Sequence, residues 1–343
     1  MMKFGRRRQL LLAGVLATAV AAPLTAQAAD RPTRTLVTLP TLPGNTFSDA
    51  LDINDSGVAV GWSAAADRTR AVKWPTPTSV VELRGLSNAT HANARGINNE
   101  GMVVGITWIG GDGRATKWSS DGTPSELVTP AGHRYCEANA INDSGVAVGN
   151  CLTDASKEHV VRWAPDGTVT LLGTGGSDAV THAEKINNNG AVVGTTNFER
   201  AARWETDGQP QGLPQPDNAS GSGANSINDR GEIIGSLTTD RDDETGAARW
   251  SADGKWTFLA KLPGTDFNGG GLDINADGTV VGAAQAADGR SVAMLWGANG
   301  TATRLPSLPT ARPNSADIAR AINRTGAIAG YSGDSAVLWL GFR

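Results

Sequence analysis

Three observations predict an all-β fold, a seven-bladed β-propeller of four-stranded antiparallel blades. First, the phrase I-N-x-x-G-x-x-x-G is written seven times, at Ile53, Ile97, Ile141, Ile186, Ile227, Ile274 and Ile322, in steps of 41 to 48 residues. Second, a Trp follows each phrase: Trp74, Trp118, Trp163, Trp204, Trp250, Trp296 and Trp339. Third, the apolar residues come in short Val-rich runs between Gly, Asp and Asn clusters, with no long run of helical period. A self-similar unit of about 45 residues is the size of a four-stranded propeller blade.

Taken in chain order, residues 1–29 read as an export signal that is removed. Lys3, Arg6, Arg7 and Arg8 precede an apolar run from Leu10 to Leu24, and a small-residue "AQA" follows. The paired arginines leave both the general secretory and the twin-arginine routes open. Residues 30–343 form one propeller domain. Its first strand lies in "TRTLVTLPTLPG" (33–44) and resembles the fourth strands of later units. Each unit then has four strands. The first ends on the repeat Ile. Asn and Gly turn the chain, Asn through its side chain and Gly through a positive φ. The second strand is "VAVG" or "MVVG", the third carries the Trp, and an Asp-Gly or Asn-Gly turn leads to the fourth. The seventh unit stops at "LGFR", too soon for a fourth strand. The spare strand at the start supplies it and closes the ring, removing an open sheet edge. An open β-solenoid would explain the repeat but not the spare strand.

Charge excludes some functions. Without residues 1–29 the chain keeps 26 basic side chains against 34 acidic ones, about −8. That disfavours nucleic acid and anionic membranes, and nothing after the signal is apolar enough for membrane insertion.

The repeat resembles that of the bacterial extracellular HAF-repeat proteins, which pair "A-x-x-I-N-x-x-G-x-V-V-G" with a His-Ala-Phe-like segment before a Trp. "HVVRW" at His159 to Trp163 fits the second part best; elsewhere it reads "RAVKW", "RATKW", "RAARW", "GAARW" and "SAVLW". The resemblance covers about residues 33 to 343. It implies an exported repeat protein and no particular activity.

In an up-and-down blade, the first and third turns lie at one end and the variable segments at the other. Function is expected on that variable face. Seven aromatics outside the repeat map there: Phe47, Trp62, Trp108, Tyr135, Phe198, Phe267 and Tyr331. They suit stacking on sugars or gripping a protein, or they fill gaps over the blade tops. His91, His133 and His182 lie near the expected channel mouth, but their differing offsets from the repeat Ile favour solvated histidines over a metal site. Asp273 to Gly278 imitates a calcium loop, yet Ala284 stands where the bidentate acid belongs, so a hairpin turn is expected. Cys136 and Cys151 flank one hairpin and are placed to form a cross-strand disulfide in an exported protein.

No nucleophile elbow, phosphate-binding loop or zinc-protease motif occurs. Asp49, Glu137, Glu184 and Asp266 are candidates for a glycosidase-type pair that spacing alone does not single out. The leading expectation is therefore a secreted, monomeric binding or interaction module without cofactor and without enzymatic activity. Its extracellular ligand would be a polysaccharide or an envelope protein. Two alternatives stay open: an extracellular glycan hydrolase or lyase with a carboxylate pair in the central funnel, and a structural cell-surface repeat protein.

Overall fold

The computed structural model describes residues 33–175, 180–197, 200–206, 208–240, 245–263, 269–309 and 315–342. The expected signal lies outside these residues, as do Phe198, Asp266 and Phe267.

Every regular element among the described residues is a strand, and the strands form seven four-stranded antiparallel sheets. The first strand of each sheet ends on the repeat Ile: Phe47–Ile53, His91–Ile97, His133–Ile141, Thr181–Ile186, Ala219–Ile227, Gly271–Ile274 and Asp317–Ile322. These first strands surround a central channel, since all seven contribute to its lining. The ring closes as expected. Thr35–Thr38 pairs antiparallel with Ser335–Leu340, Leu36 standing opposite Trp339, and completes the seventh sheet. The chain is thus a seven-bladed β-propeller.

Each letter of the repeat has a structural cause. The first Gly (for example Gly57, φ 81°) turns the chain between first and second strands. The second Gly is needed for close approach. A Cβ on Gly61, Gly105, Gly149, Gly194, Gly235, Gly282 or Gly330 would sit about 2 Å from a carbonyl oxygen in the first strand or, for Gly282, from that of Gly270 just before it. Two residues before each repeat Ile the first strand also bulges, so Leu51, Arg95, Asn139, Glu184, Asn225, Leu272 and Arg320 have no partner in the ladder. A bulge re-aims side chains locally, and this column supplies much of the site described below.

Asn does two jobs. Asn54 Oδ1 accepts from Val58 N across its own turn, and its Nδ2 donates to Asn98 O of the next blade. Asn98, Asn142, Asn187, Asn228, Asn275 and Asn323 repeat the second bond, and Asn323 donates back to Asn54 O. Seven side chains therefore form a closed circle of hydrogen bonds at the turn end of the channel. The repeat Trp residues form a second circle. All are at most 2% exposed, and each indole Nε1 donates to a carbonyl in the segment after the preceding blade's fourth strand, from Pro40 for Trp74 to Pro306 for Trp339, at 2.7–2.9 Å. The core is correspondingly divided. Apolar clusters lie between neighbouring blades; Val60, Ala71 and Leu83 of blade one, for instance, pack with Ala94, Ile97 and Trp118 of blade two.

Part of the variable face is strand and not loop. Ala59–Ala65 and Val103–Ile109 extend through segments read from sequence as loops, so Trp62 and Trp108 stand on rigid ladder. Gly110 and Gly111 both take positive φ (61° and 94°), the two-residue hairpin geometry that lets the strands run on.

Candidate functional site: the funnel mouth

The two ends of the channel differ. At the turn end, above the Asn circle, Lys185 Nζ reaches across from blade four to Asp52 Oδ1 of blade one, 3.1 Å away. Asp52 Oδ2 accepts from Ile97 N, and Asp273 accepts from Ser226 Oγ and Ile322 N. Burial works against the charge on Lys185, but Asp52 and Asp273 outweigh it and hold the ammonium protonated. The buried polar groups here are held by protein partners and line a cavity of about 210 Å³ at this end. Asp273 and Asn275 belong to it, and the calcium-like segment forms the hairpin turn between the first two strands of blade six.

The variable end is less complete. On blades two to four, Arg95 Nη2 lies 3.0 Å from Glu137, and Arg95 Nη1 donates to Asn139 Oδ1 at 2.8 Å. His182 Nδ1 lies 2.8 Å from Glu158 Oε1, and its Nε2 lies 3.2 Å from Glu184 Oε1. Burial alone would neutralise this imidazole. The hydrogen bonds and charges of Glu158 and Glu184 overcome that and push its pKa up to about 10, so His182 is a cation at neutral pH. Acceptor atoms of Glu137 and Glu158 and a ring nitrogen of His182 all lie within 4.8 Å of one another. The trio has ligand types that a metal would accept. Asn150 fixes the neighbouring backbone by accepting from Ala183 N at 2.8 Å. The expected disulfide is formed: Cys136 and Cys151 pair across the first two strands of blade three, one residue from the Glu137–Asn150 pair.

A second group spans blades seven, one and two. Asp49 is 4% exposed, and its Oδ2 accepts from Arg320 Nε and Nη2 at 3.2 and 3.0 Å. Burial raises its pKa to about 6 despite the attraction of Arg320. The Arg320 guanidinium also lies over the Tyr331 ring, 5.3 Å from its centroid. Beside it opens a cavity of about 760 Å³ lined by Trp62, Thr69, Thr90, His91, Asn93, Trp108 and Gly111.

The sequence candidates therefore separate. Trp62 and Trp108 share that cavity, and Phe47, Trp62 and Tyr331 line a smaller one of about 260 Å³ with Asp49 and Arg320. Tyr135 is half-buried and lodged over Gly113, whose missing side chain makes room for the ring. The three histidines do not converge. His91 lines the large cavity, His133 Nε2 meets His159 Nδ1 at 3.0 Å, and only His182 joins the carboxylates. Of the expected acids, Glu137 and Glu184 flank His182, while Asp49 lies with Arg320. Glu158, Arg95, Arg320 and Asn93 were missed. Aligning the seven units on Ile exposes most of them: Arg95, Glu184 and Arg320 occupy the bulge column, and Asp49, Asn93, Glu137 and His182 the column two residues earlier. Glu158 sits on a third strand, where no such column points.

No protein-family model and no curated protein sequence matches the chain. Solved structures do. An oligogalacturonate lyase from Vibrio parahaemolyticus matches with a TM-score of 0.62 at 9% identity, over 90% of this chain and 96% of that one. Virginiamycin B lyase from Staphylococcus aureus matches with 0.56 at 13% identity, over 90% and 99%. YCF48 bound to a D1 peptide matches with 0.57 at 12% identity, over 91% and 98%. At such identities the likeness establishes the propeller fold alone. It nevertheless corrects one expectation. The lack of a catalytic motif was read as the lack of enzymatic activity, and two of these propellers are lyases. Side chains from separate blades meet at a funnel, so a contiguous motif is the wrong sign to seek.

Proposed function

We propose that this chain is an exported glycan-cleaving enzyme whose reaction centre is the funnel mouth between blades two and four. One observation carries the reading: Glu137, Glu158 and His182 offer their polar atoms within 4.8 Å of one another, on the face that also holds the Trp62–Trp108 cavity. Cleaving a glycosidic bond requires a proton for the leaving oxygen and a carboxylate for the sugar carbon. His182 holds the proton. Glu137, placed by Arg95, attacks the sugar carbon as the leaving oxygen takes the His182 proton; in a second step water displaces Glu137, and its proton returns to His182 through Glu158, 2.8 Å from Nδ1. Hydrolysis of a neutral glycan is the first reading, because a chain of net charge about −8 repels polyanions. Elimination on a uronate is the second, favoured by Arg95 and Arg320 at the mouth.

An extracellular location is part of the same proposal. It is supported by the basic-then-apolar character of residues 1–29 and by the disulfide, while no helix among the described residues is long and apolar enough to cross a membrane. Membership of the HAF-repeat proteins is likewise proposed, on the repeat itself.

The test is to incubate the purified chain with a panel of neutral and uronate polysaccharides, following reducing ends and ultraviolet absorbance together. New reducing ends without absorbance indicate hydrolysis, and both together indicate elimination. Glu137→Gln and His182→Ala should each lower the rate by about 10²–10⁴-fold. No product from any glycan, or full activity in both variants, refutes the reading.

A further inference from the structure

Two buried acceptor atoms on adjacent blades have no hydrogen-bond partner: Asp49 Oδ1 and Asn93 Oδ1. They occupy the same place in their units, four residues before the repeat Ile, on blades one and two. Buried polar atoms without a partner are uncommon, and each costs stability unless something else satisfies it. Asp49 already uses its other oxygen on Arg320. Both residues line cavities that share the Trp62 side chain: Asn93 the larger, with Trp108, and Asp49 the smaller, with Tyr331.

A ligand suited to this place has an apolar face for an indole and hydroxyl donors near its rim. A phosphate or carboxylate group brings only acceptors and would meet Asp49 with like charge. A purely apolar ring would leave both oxygens unsatisfied. A pyranose meets both needs, with C–H groups for the Trp face and O–H groups that donate. We propose that Trp62, Asp49 and Asn93 form a sugar-binding subsite, with ring hydroxyls donating to Asp49 Oδ1 and Asn93 Oδ1 and the ring packed on Trp62. The subsite deepens the glycan reading and rests on it for its ligand class. It lies one to two blades from Glu137, and so it holds a sugar unit away from the bond being cleaved.

The experiment uses the full mature chain carrying Glu137→Gln, which slows turnover about 10²–10⁴-fold, and follows intrinsic Trp fluorescence during titration with cellotriose and, separately, trigalacturonate. Saturable binding of cellotriose is expected, with trigalacturonate weaker. Trp62→Ala should abolish the fluorescence change. Asn93→Leu is the discriminating variant: it removes an acceptor that has no partner in the protein, so unfolding stability should hold while affinity falls at least tenfold. No saturable response to either sugar overturns the subsite, as does binding that survives Trp62→Ala and Asn93→Leu. Its fate is separable from that of the reaction. Binding with this pattern in a chain that cleaves nothing leaves the subsite standing and removes the enzyme. Cleavage by the parent chain with no change on either substitution does the reverse.

Discussion

Asp49 shows how one side chain ties the funnel to stability. Burial lifts its carboxyl from 3.8 to about 6, so the folded chain binds this proton more tightly than the unfolded one. Stability from this group is therefore fully present below about pH 4 and is lost as pH rises through 6. The shift corresponds to a decline of roughly 3 kcal/mol. Asp49→Asn should remove that decline. Denaturant unfolding of both chains at pH 4 and pH 7 measures it as a difference of differences, and equal pH dependence in the two would show that Asp49 titrates normally. The charge-bearing residues at the funnel mouth share a feature that made them hard to recognise. Each is the variable member of an otherwise constant unit, so Arg95, Glu137 and His182 look like noise until all seven units are superposed on their Ile.

Among elements, the hairpin between first and second strands contains two glycines that the sequence writes alike and the fold uses differently. Gly57 needs its positive φ and meets no atom within 4 Å of an added Cβ. Gly105 has an ordinary φ, but a Cβ there would lie 2.0 Å from Asn93 O. Gly57→Ala should cost about 1 kcal/mol, the price of a left-handed turn residue. Gly105→Ala has to push two strands apart and should cost about 3 kcal/mol. Urea unfolding of both variants tests the order, and a costlier Gly57→Ala would contradict it. The first glycine was legible, because N-x-x-G marks a turn. The second was legible only as a pattern, because its reason is the bulge two residues before Ile, which puts a neighbouring carbonyl where a methyl would go.

At the scale of the whole molecule, closure rests on one short strand. Thr35–Thr38 supplies the fourth strand of blade seven, Leu39 is 1% exposed in the core shared by blades seven and one, and Pro40 O receives the Trp74 indole. Deleting residues 33–40 cuts all three links and bares the edge at Ser335–Leu340. The shortened chain should melt earlier than its parent and elute at larger apparent size in gel filtration. Unchanged melting and elution would show that the two circles of Asn and Trp bonds hold the ring without it.

What the sequence determined by itself was the number of blades, the place of the Asn-Gly turn in each, the closing strand and the disulfide. These follow from local rules repeated seven times: a turn needs Asn and Gly, a blade interface needs a large indole, and a ring needs as many fourth strands as first strands. Only the tertiary structure decided which variable side chains meet. Glu158 and His182 are 24 residues apart and on different blades, Asp49 and Arg320 are separated by 271, and no periodicity encodes either encounter. Closing the ring brings Asp49 and Arg320 together, because it makes blades seven and one neighbours, whereas Glu158 meets His182 where the third strand of blade three packs against the first strand of blade four.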